Sequence, residues 1–206
     1  MAMHSGAASA EPGSGASDAD LVTLARSGDD EAFDVLFRRH YARVVNLAMR
    51  LHGNQDDAED IAQLAFVRAY ASLNRIRDGQ ALLAWLYRTV VNEIRDRAKA
   101  RKRKPWLLFG DWRSADGSSD GGLSEPGDAS LDPARVVVGQ SMNDALADAI
   151  AALPLEFREP VVMHHLDGLD LVEIAGVLGV PVGTVKSRLS RGRARLRESM
   201  APWLEA

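Results

Sequence analysis

The sequence predicts an all-α protein: two small helical domains joined by a flexible acidic linker. Three features carry that prediction. Apolar residues recur at helical spacing along most of the chain, and no convincing alternating strand interrupts them. The periodicity lapses over residues 105–137, where Gly, Ser and Asp accumulate. Residues 171–197, LVEIAGVLGVPVGTVKSRLSRGRARLR, read as a helix-turn-helix ending in a basic helix. The expected divisions are a disordered tail (1–17), a first domain (18–104), the linker (105–137) and a second domain (138–206).

Composition narrows the chemistry. The 206 residues suit one domain or two small ones. Hydrophobic residues make up 46% of the chain but aromatics only 6%, so small aliphatic cores are expected. No cysteine is present, which excludes disulfides, thiolate metal sites and thiol nucleophiles. The adjacent His164 and His165 would point about 100° apart on a helix, which makes no two-ligand metal face. No metal site and no cofactor is expected. No apolar run reaches the ~18–20 residues of a bilayer span. The opening MAMHSGAASAEPGSGAS also lacks the apolar core of a signal peptide. The expected location is the cytoplasm.

The first domain opens with a short helix around 20–26. From 31 to 51, Phe33, Leu36, Phe37, His40, Tyr41, Val44, Ala48 and Leu51 form one stripe. Gly53-Asn54 breaks this helix, and Asn54 suits the cap of the next. That helix, 55–72, is expected to bury Ala58, Ile61, Ala62, Ala65 and Ala69. A loop over 73–80 follows. The next helix starts near Ala81 with Leu83, Leu86, Val90 and Ile94 inward.

Between 111 and 132 six acids stand against one base. So polar a stretch cannot offset its ordering entropy by burial. Trp106, Leu107, Leu108, Phe109 and Trp112 do not suit a plain linker, and are expected to dock on the first domain or on a partner. Helical pattern resumes near Val138, with Met142, Ala145, Leu146, Ala149 and Leu153 on one face. A helix over 155–166 follows, in which Pro160 costs little if the helix begins at 156 or later and otherwise forces a kink.

In the helix-turn-helix, Leu171, Ile174, Ala175 and Leu178 fall at i, i+3, i+4 and i+7. Gly179-Val180-Pro181 closes one helix and opens the next. There Val182, Val185, Leu189 and Leu196 make the apolar stripe, with Lys186, Ser187, Ser190 and Arg191 opposite. Residues 182–198 hold six bases and one acid in a chain of net charge −4. A charge run is usually a solvated face. The short helix, tight turn and lack of compensating acids favour instead a helix that enters a DNA major groove.

Two more charge clusters lie in the first domain. Residues 92–104, NEIRDRAKARKRK, hold seven bases and two acids. Complementing the helix dipole explains two or three of these, whereas phosphate contact explains all seven. Upstream lie Trp85, Tyr87 and the loop with Arg75 and Arg77, an arrangement suited to capturing a single strand. Core packing accounts for the two rings equally well. Asp56, Asp57, Glu59 and Asp60 crowd the start of helix 55–72. First-turn acids favour the helix dipole. Asp60 and Gln63 lie beyond that turn, and an acidic face there suits a basic protein partner.

Taken together, DAEDIAQLAFVRAY (57–70), AWLYRTVVNEIRDRAKARKRK (84–104), LPLEFREPVVMHHLDGL (153–169) and EIAGVLGVPVGTVKSRLSRGRARL (173–196) resemble the extracytoplasmic-function (ECF) class of bacterial sigma factors. The resemblance implies a transcription initiation factor that binds core RNA polymerase, through its β′ and β subunits, and directs it to promoter DNA. It places Asp57, Glu59, Asp60 and Gln63 on the β′ coiled coil. It assigns the loop 73–80 and Arg75, Arg77, Trp85, Asn92, Arg95, Arg97 and Lys99 to recognition and opening of the minus-ten element. Thr184, Lys186, Ser187, Arg188, Ser190, Arg191 and Arg193 would contact the minus-thirty-five element, with Arg188 and Arg193 on phosphates. The acidic linker matches a segment that threads toward the RNA-exit path. An anti-sigma partner is implied as well. Three positions depart from the family: Ile76 and Leu83 stand where aromatics are frequent, and Ser190 where bulkier side chains are common.

Three rival readings are an operator-binding regulator that senses an effector, a nucleic-acid-processing enzyme, and a sigma-like protein that sequesters a partner. The charged loop and basic tail of the first domain argue against the first. No P-loop occurs, and no carboxylate pair has a basic or metal-binding neighbour, so no enzyme is expected.

Overall fold

Most of the helices start where the sequence supplies a cap. The computed structural model describes residues 15–103 and 142–204. The expected linker, its Trp106–Trp112 segment and the start near Val138 lie outside these residues. Ser17 accepts from the Asp20 amide and the Asp20 carboxylate accepts in return from the Ser17 amide, a reciprocal pair that opens α1 (Asp18–Arg26). A residue read from sequence as the end of a disordered tail is therefore a helix cap. The neighbouring Ala16 carbonyl accepts from Arg39 at 2.8 Å. Asp29 caps α2 (Asp30–His52), which ends at Gly53 with φ 88°. Asn54 caps α3 (Gln55–Ala71) through the Asp57 amide at 3.0 Å. A 3-10 turn (Leu73–Arg75) leads to α4 (Gly79–Arg103), whose first turn is held by Asp78 on the Ala81 amide. A Cβ at Gly79 would lie 2.2 Å from that of Asp18, so only glycine lets α1 cross the start of α4.

The first core forms where α2, α3 and α4 meet under α1. Leu36, Val44, Leu47, Ala48, Ile61, Ala62, Ala65 and Leu86 are fully buried there. Beginning at Gly79 rather than near Ala81, α4 sends Leu82 inward; Leu83 is only half-buried. Tyr87 and Val91 join Leu86, Val90 and Ile94 on that face.

The second group comprises α5 (Met142–Ala152), α6 (Leu155–His165), α7 (Leu171–Leu178) and α8 (Val182–Leu204). Ala149 and Leu153 are buried as expected, but Met142 and Leu146 are 50% and 38% exposed. Although α6 begins at Leu155, Pro160 stands at its sixth position and continues the helix, giving up one amide bond to the turn before it. Asp170 and Glu173 form a second reciprocal cap on α7, which closes at Gly179 with φ 67°. The buried Gly192 of α8 lies against Val161 and the Phe157 carbonyl of α6.

The two groups touch. Helix α4 packs against α7 and α2 against α6. A cleft of about 430 Å³, lined by Arg43, Arg77, Leu83, Tyr87, Arg88 and Glu173 among others, lies along the seam.

Candidate nucleic-acid interface

The turn between α7 and α8 fixes the recognition helix. Val185 and Leu189 are 0% and 3% exposed, which turns the opposite side of α8 outward. Lys186, Ser187, Ser190, Arg191 and Arg193 are exposed on it, while Thr184 and Arg188 are half-buried. The Ser187 hydroxyl donates to the Thr184 carbonyl at 2.9 Å, so its proton is spent within the helix and its lone pairs remain for a donor. Arg188 lies 3.9 Å from Glu156. The guanidinium of Arg195 sits 5.0 Å from the centre of the Phe157 ring, so this member of the charge run turns back onto the protein.

Arg193 is oriented from behind. Its Nε donates to His165 Nε2 at 3.0 Å. Burial, together with the Arg193 and His164 charges, holds the His165 imidazole below its ordinary pKa, which favours the neutral acceptor form. Lys186, Ser190, Arg193 and Arg197 line one shallow depression with His164 and Leu171. Polar and cationic side chains converging on a concave patch suit contact with nucleic acid, at a base edge or at a backbone phosphate.

In the first domain the polar residues assigned to the minus-ten element divide into two sets. Arg75, Arg77 and Asn92 are exposed. Arg95, Arg97 and Lys99 already have carboxylate partners: Glu159, then Asp57 with Glu93, then Asp96. Ile76 is 2% exposed and belongs to the core. Trp85 is half-buried against the core, and Tyr87 is fully buried with its hydroxyl accepting from Arg43 Nε at 2.9 Å. Burial, then the Asp167 charge, pushes the Tyr87 hydroxyl well up from its ordinary pKa.

The acidic face of α3 is arranged unevenly. Asp57 is bonded to Arg97 at 3.0 Å and lies 3.5 Å from His52; Glu59 accepts from Gln55 at 3.1 Å. Asp60 and Gln63 are exposed. Gln63 borders an apolar groove with Phe33, Phe37, Phe66, Val67 and Tyr70, in which Val67 is 65% and Tyr70 48% exposed. Sequence reasoning missed Val67 and Tyr70, although both continue the Asp60–Gln63 face at helical spacing. Among the described residues no group of three or more potential ligands could hold a metal ion, and no helix is long and apolar enough to cross a membrane.

The pattern of Sigma-70 region 2 matches residues 36–104, and that of Sigma-70 region 4 matches residues 143–196. The ECF RNA polymerase sigma factor SigW of Bacillus subtilis is 34% identical over 87% of this chain and 94% of its own length. The ECF RNA polymerase sigma-E factor of Escherichia coli K12 is 32% identical over 90% of this chain and 95% of its own. Among solved structures, CnrH in complex with the cytosolic domain of CnrY is similar, with a TM-score of 0.62 and 26% identity. It covers 90% of this chain and 97% of that one. The sigma factor RpoE bound to the anti-sigma factor NepR from Bartonella quintana gives 0.58 and 25%, covering 82% and 96%. The chain belongs to the ECF sigma factors of the sigma-70 family. As a member it is a transcription initiation factor that directs RNA polymerase to promoters.

Proposed function

We propose that the chain reads two promoter elements with its two domains, and that core polymerase holds those domains at the required separation. The exposed Lys186–Ser190–Arg191 face of α8 carries this reading. On it, Lys186, Ser187, Ser190 and Arg191 meet base edges of the minus-thirty-five element, and Thr184, Arg188 and Arg193 hold its phosphates. Arg75, Arg77, Trp85, Asn92, Arg95, Arg97 and Lys99 serve the minus-ten element. Asp57, Glu59, Asp60 and Gln63 dock on the polymerase β′ subunit. The expected divisions at residues 17, 104 and 137 belong to the same reading.

Neither domain is built to bind promoter DNA tightly alone, because opening the duplex forfeits stacking of ~1.4 kcal/mol per step. Docking on polymerase turns two weak contacts into one bivalent contact. Catalysis stays with polymerase; the chain supplies position and charge, and works in the cytoplasm. Control by an anti-sigma factor completes the reading, supported by the likeness to RpoE in its NepR complex. Run-off transcription from a cognate promoter, with and without the purified chain, tests it. Transcripts should require both core polymerase and this protein. Tight duplex binding without polymerase, and no effect on initiation, would count for the operator-binding alternative.

A further inference from the structure

Carboxylates hold Arg95, Arg97 and Lys99, and cancel much of the charge these would offer to DNA. Arg193 meets an imidazole instead. Its Nε donates to His165 Nε2 at 3.0 Å, and no acceptor for its two Nη groups is found among the described residues. A guanidinium only donates, so this contact requires a bare Nε2 and places the His165 proton on Nδ1. The holder is therefore neutral, and Arg193 keeps its full charge. Burial, with the Arg193 and His164 charges, disfavours the imidazolium in the same sense.

The holder is itself braced. A carbonyl can only accept, so His164 donates from Nδ1 to the Leu169 carbonyl, at 2.9 Å. Leu169 is 7% exposed, which puts this anchor in the core. The His164 ring meets that of His165 edge-on, with centroids 4.9 Å apart and planes at 67°. A line of contacts thus runs from a core residue just past α6, through two adjacent rings, to a cation on the recognition helix. His165 ends α6, so the element that aims Arg193 is not the one that carries it. Both side chains are exposed, and their bond contributes only modestly to stability. Its larger consequence is where the guanidinium points.

A free arginine can receive a phosphate side-on, through Nε and one Nη, or end-on, through both Nη groups. With Nε spent on His165, the end-on fork remains. Ordering the side chain before DNA arrives also removes part of the cost of immobilising it in the complex.

We propose that His165 is a positioning residue for the minus-thirty-five contact: its Nε2 holds the Nε of Arg193, so that the guanidinium meets a DNA phosphate end-on through its two Nη groups. This rests on the assignment of Arg193 to a phosphate of that element.

The test titrates holoenzyme, assembled with each full-length variant, against a fluorescent duplex carrying the cognate promoter. His165→Ala should weaken binding roughly three- to tenfold, the scale of one side chain left free to reorient. His165→Phe keeps a ring beside His164 but no acceptor, and should lose as much. His165→Gln supplies a neutral side-chain carbonyl and should recover most of the loss. Arg193→Ala should cost at least as much as His165→Ala, and adding His165→Ala to it should cost nothing further. The losses should be alike on promoters changed at single minus-thirty-five base pairs, as for a phosphate contact. Helical circular dichroism should stay at the wild-type level in every variant, since both side chains are exposed. Equal losses for His165→Gln and His165→Ala, or a His165→Ala loss that persists in the Arg193→Ala background, overturn the positioning role and leave the phosphate assignment of Arg193 standing. Full affinity in Arg193→Ala removes that assignment and the role of His165 with it.

Discussion

Arg97 donates to Asp57 at 3.0 Å, joining the basic helix assigned to the minus-ten strand to the acidic helix assigned to polymerase. Arg97 also holds Glu93 at 3.3 Å, one turn earlier on α4. One cation thus balances two acids, and the net charge that Asp57 shows a partner is smaller than the sequence suggests.

Polymerase affinity should accordingly fall on Asp60 more than on Asp57. Asp60→Arg reverses an exposed charge beside the Val67–Tyr70 groove and should weaken core binding tenfold or more, about 1.4 kcal/mol. Asp57→Ala removes a partly neutralised charge. It should cost less in affinity, and at most ~1 kcal/mol in stability, as expected of a half-exposed ion pair. Titration of labelled core polymerase with each variant checks the order. An Asp57→Ala defect larger than that of Asp60→Arg would refute it.

Gly192 sets the distance between α8 and α6. An alanine Cβ there would lie 2.7 Å from a Val161 methyl and 3.3 Å from the Phe157 carbonyl. Gly→Ala gains ~1 kcal/mol in an unconstrained helix, but overpacking against β-branched and backbone atoms costs ~1–3 kcal/mol. Gly192→Ala should therefore lower the urea midpoint of the second domain. A raised midpoint would mean that α8 shifts away at no cost.

The helices and their caps were legible because their signals are local. Asn54 before an acidic turn and Gly179 after an apolar one need no knowledge of the rest of the chain. The recognition face was legible for the same reason: Val185 and Leu189 fix which side of α8 is buried, and Lys186 and Arg191 follow. What escaped was set by contacts distant in sequence. Ile76 sits in a loop suited to strand capture, yet the core takes it. The phase of α4 moved from Leu83 to Leu82 because Gly79 tucks under Asp18. Glu159 left one trace, its place on the stripe with Leu155, Val162 and Met163. Its partner lies 64 residues upstream, and no spacing rule connects the two.

Arg191 offers the clearest test of base reading. It is exposed on α8, one turn after Ser187, and no protein acceptor for its guanidinium is found among the described residues. A bidentate arginine on a guanine edge discriminates by about 1–3 kcal/mol. Arg191→Ala should lose that much on the preferred minus-thirty-five sequence, and much less on one variant changed at a single base pair. Arg193→Ala, acting on phosphate, should weaken all variants alike and flatten the salt dependence. Measuring both proteins in holoenzyme on a panel of single-base promoter variants separates the roles. A uniform loss for Arg191→Ala would move that residue to the phosphate set.

Asp167 should make stability depend on pH in the direction opposite to an ordinary salt bridge. Its side chain is 5% exposed; Oδ1 accepts from Arg50, while buried Oδ2 finds no partner at ordinary hydrogen-bond geometry among the described residues. Burial pushes its carboxyl above the ordinary value, against the pull of Arg50, Arg43 and the Tyr87 hydroxyl. The folded protein therefore keeps this proton to higher pH than the unfolded chain does. Within that window the native state binds more protons, and this group's contribution to stability falls as pH rises. Asp167→Asn removes the titration while keeping the shape. Urea unfolding of both proteins between pH 4 and 7 should show wild type at its greatest advantage over the variant at the acid end, declining toward neutrality. An advantage that grows with pH would mean that the arginines outweigh burial, and that the ionised carboxylate is the form the seam was built to hold.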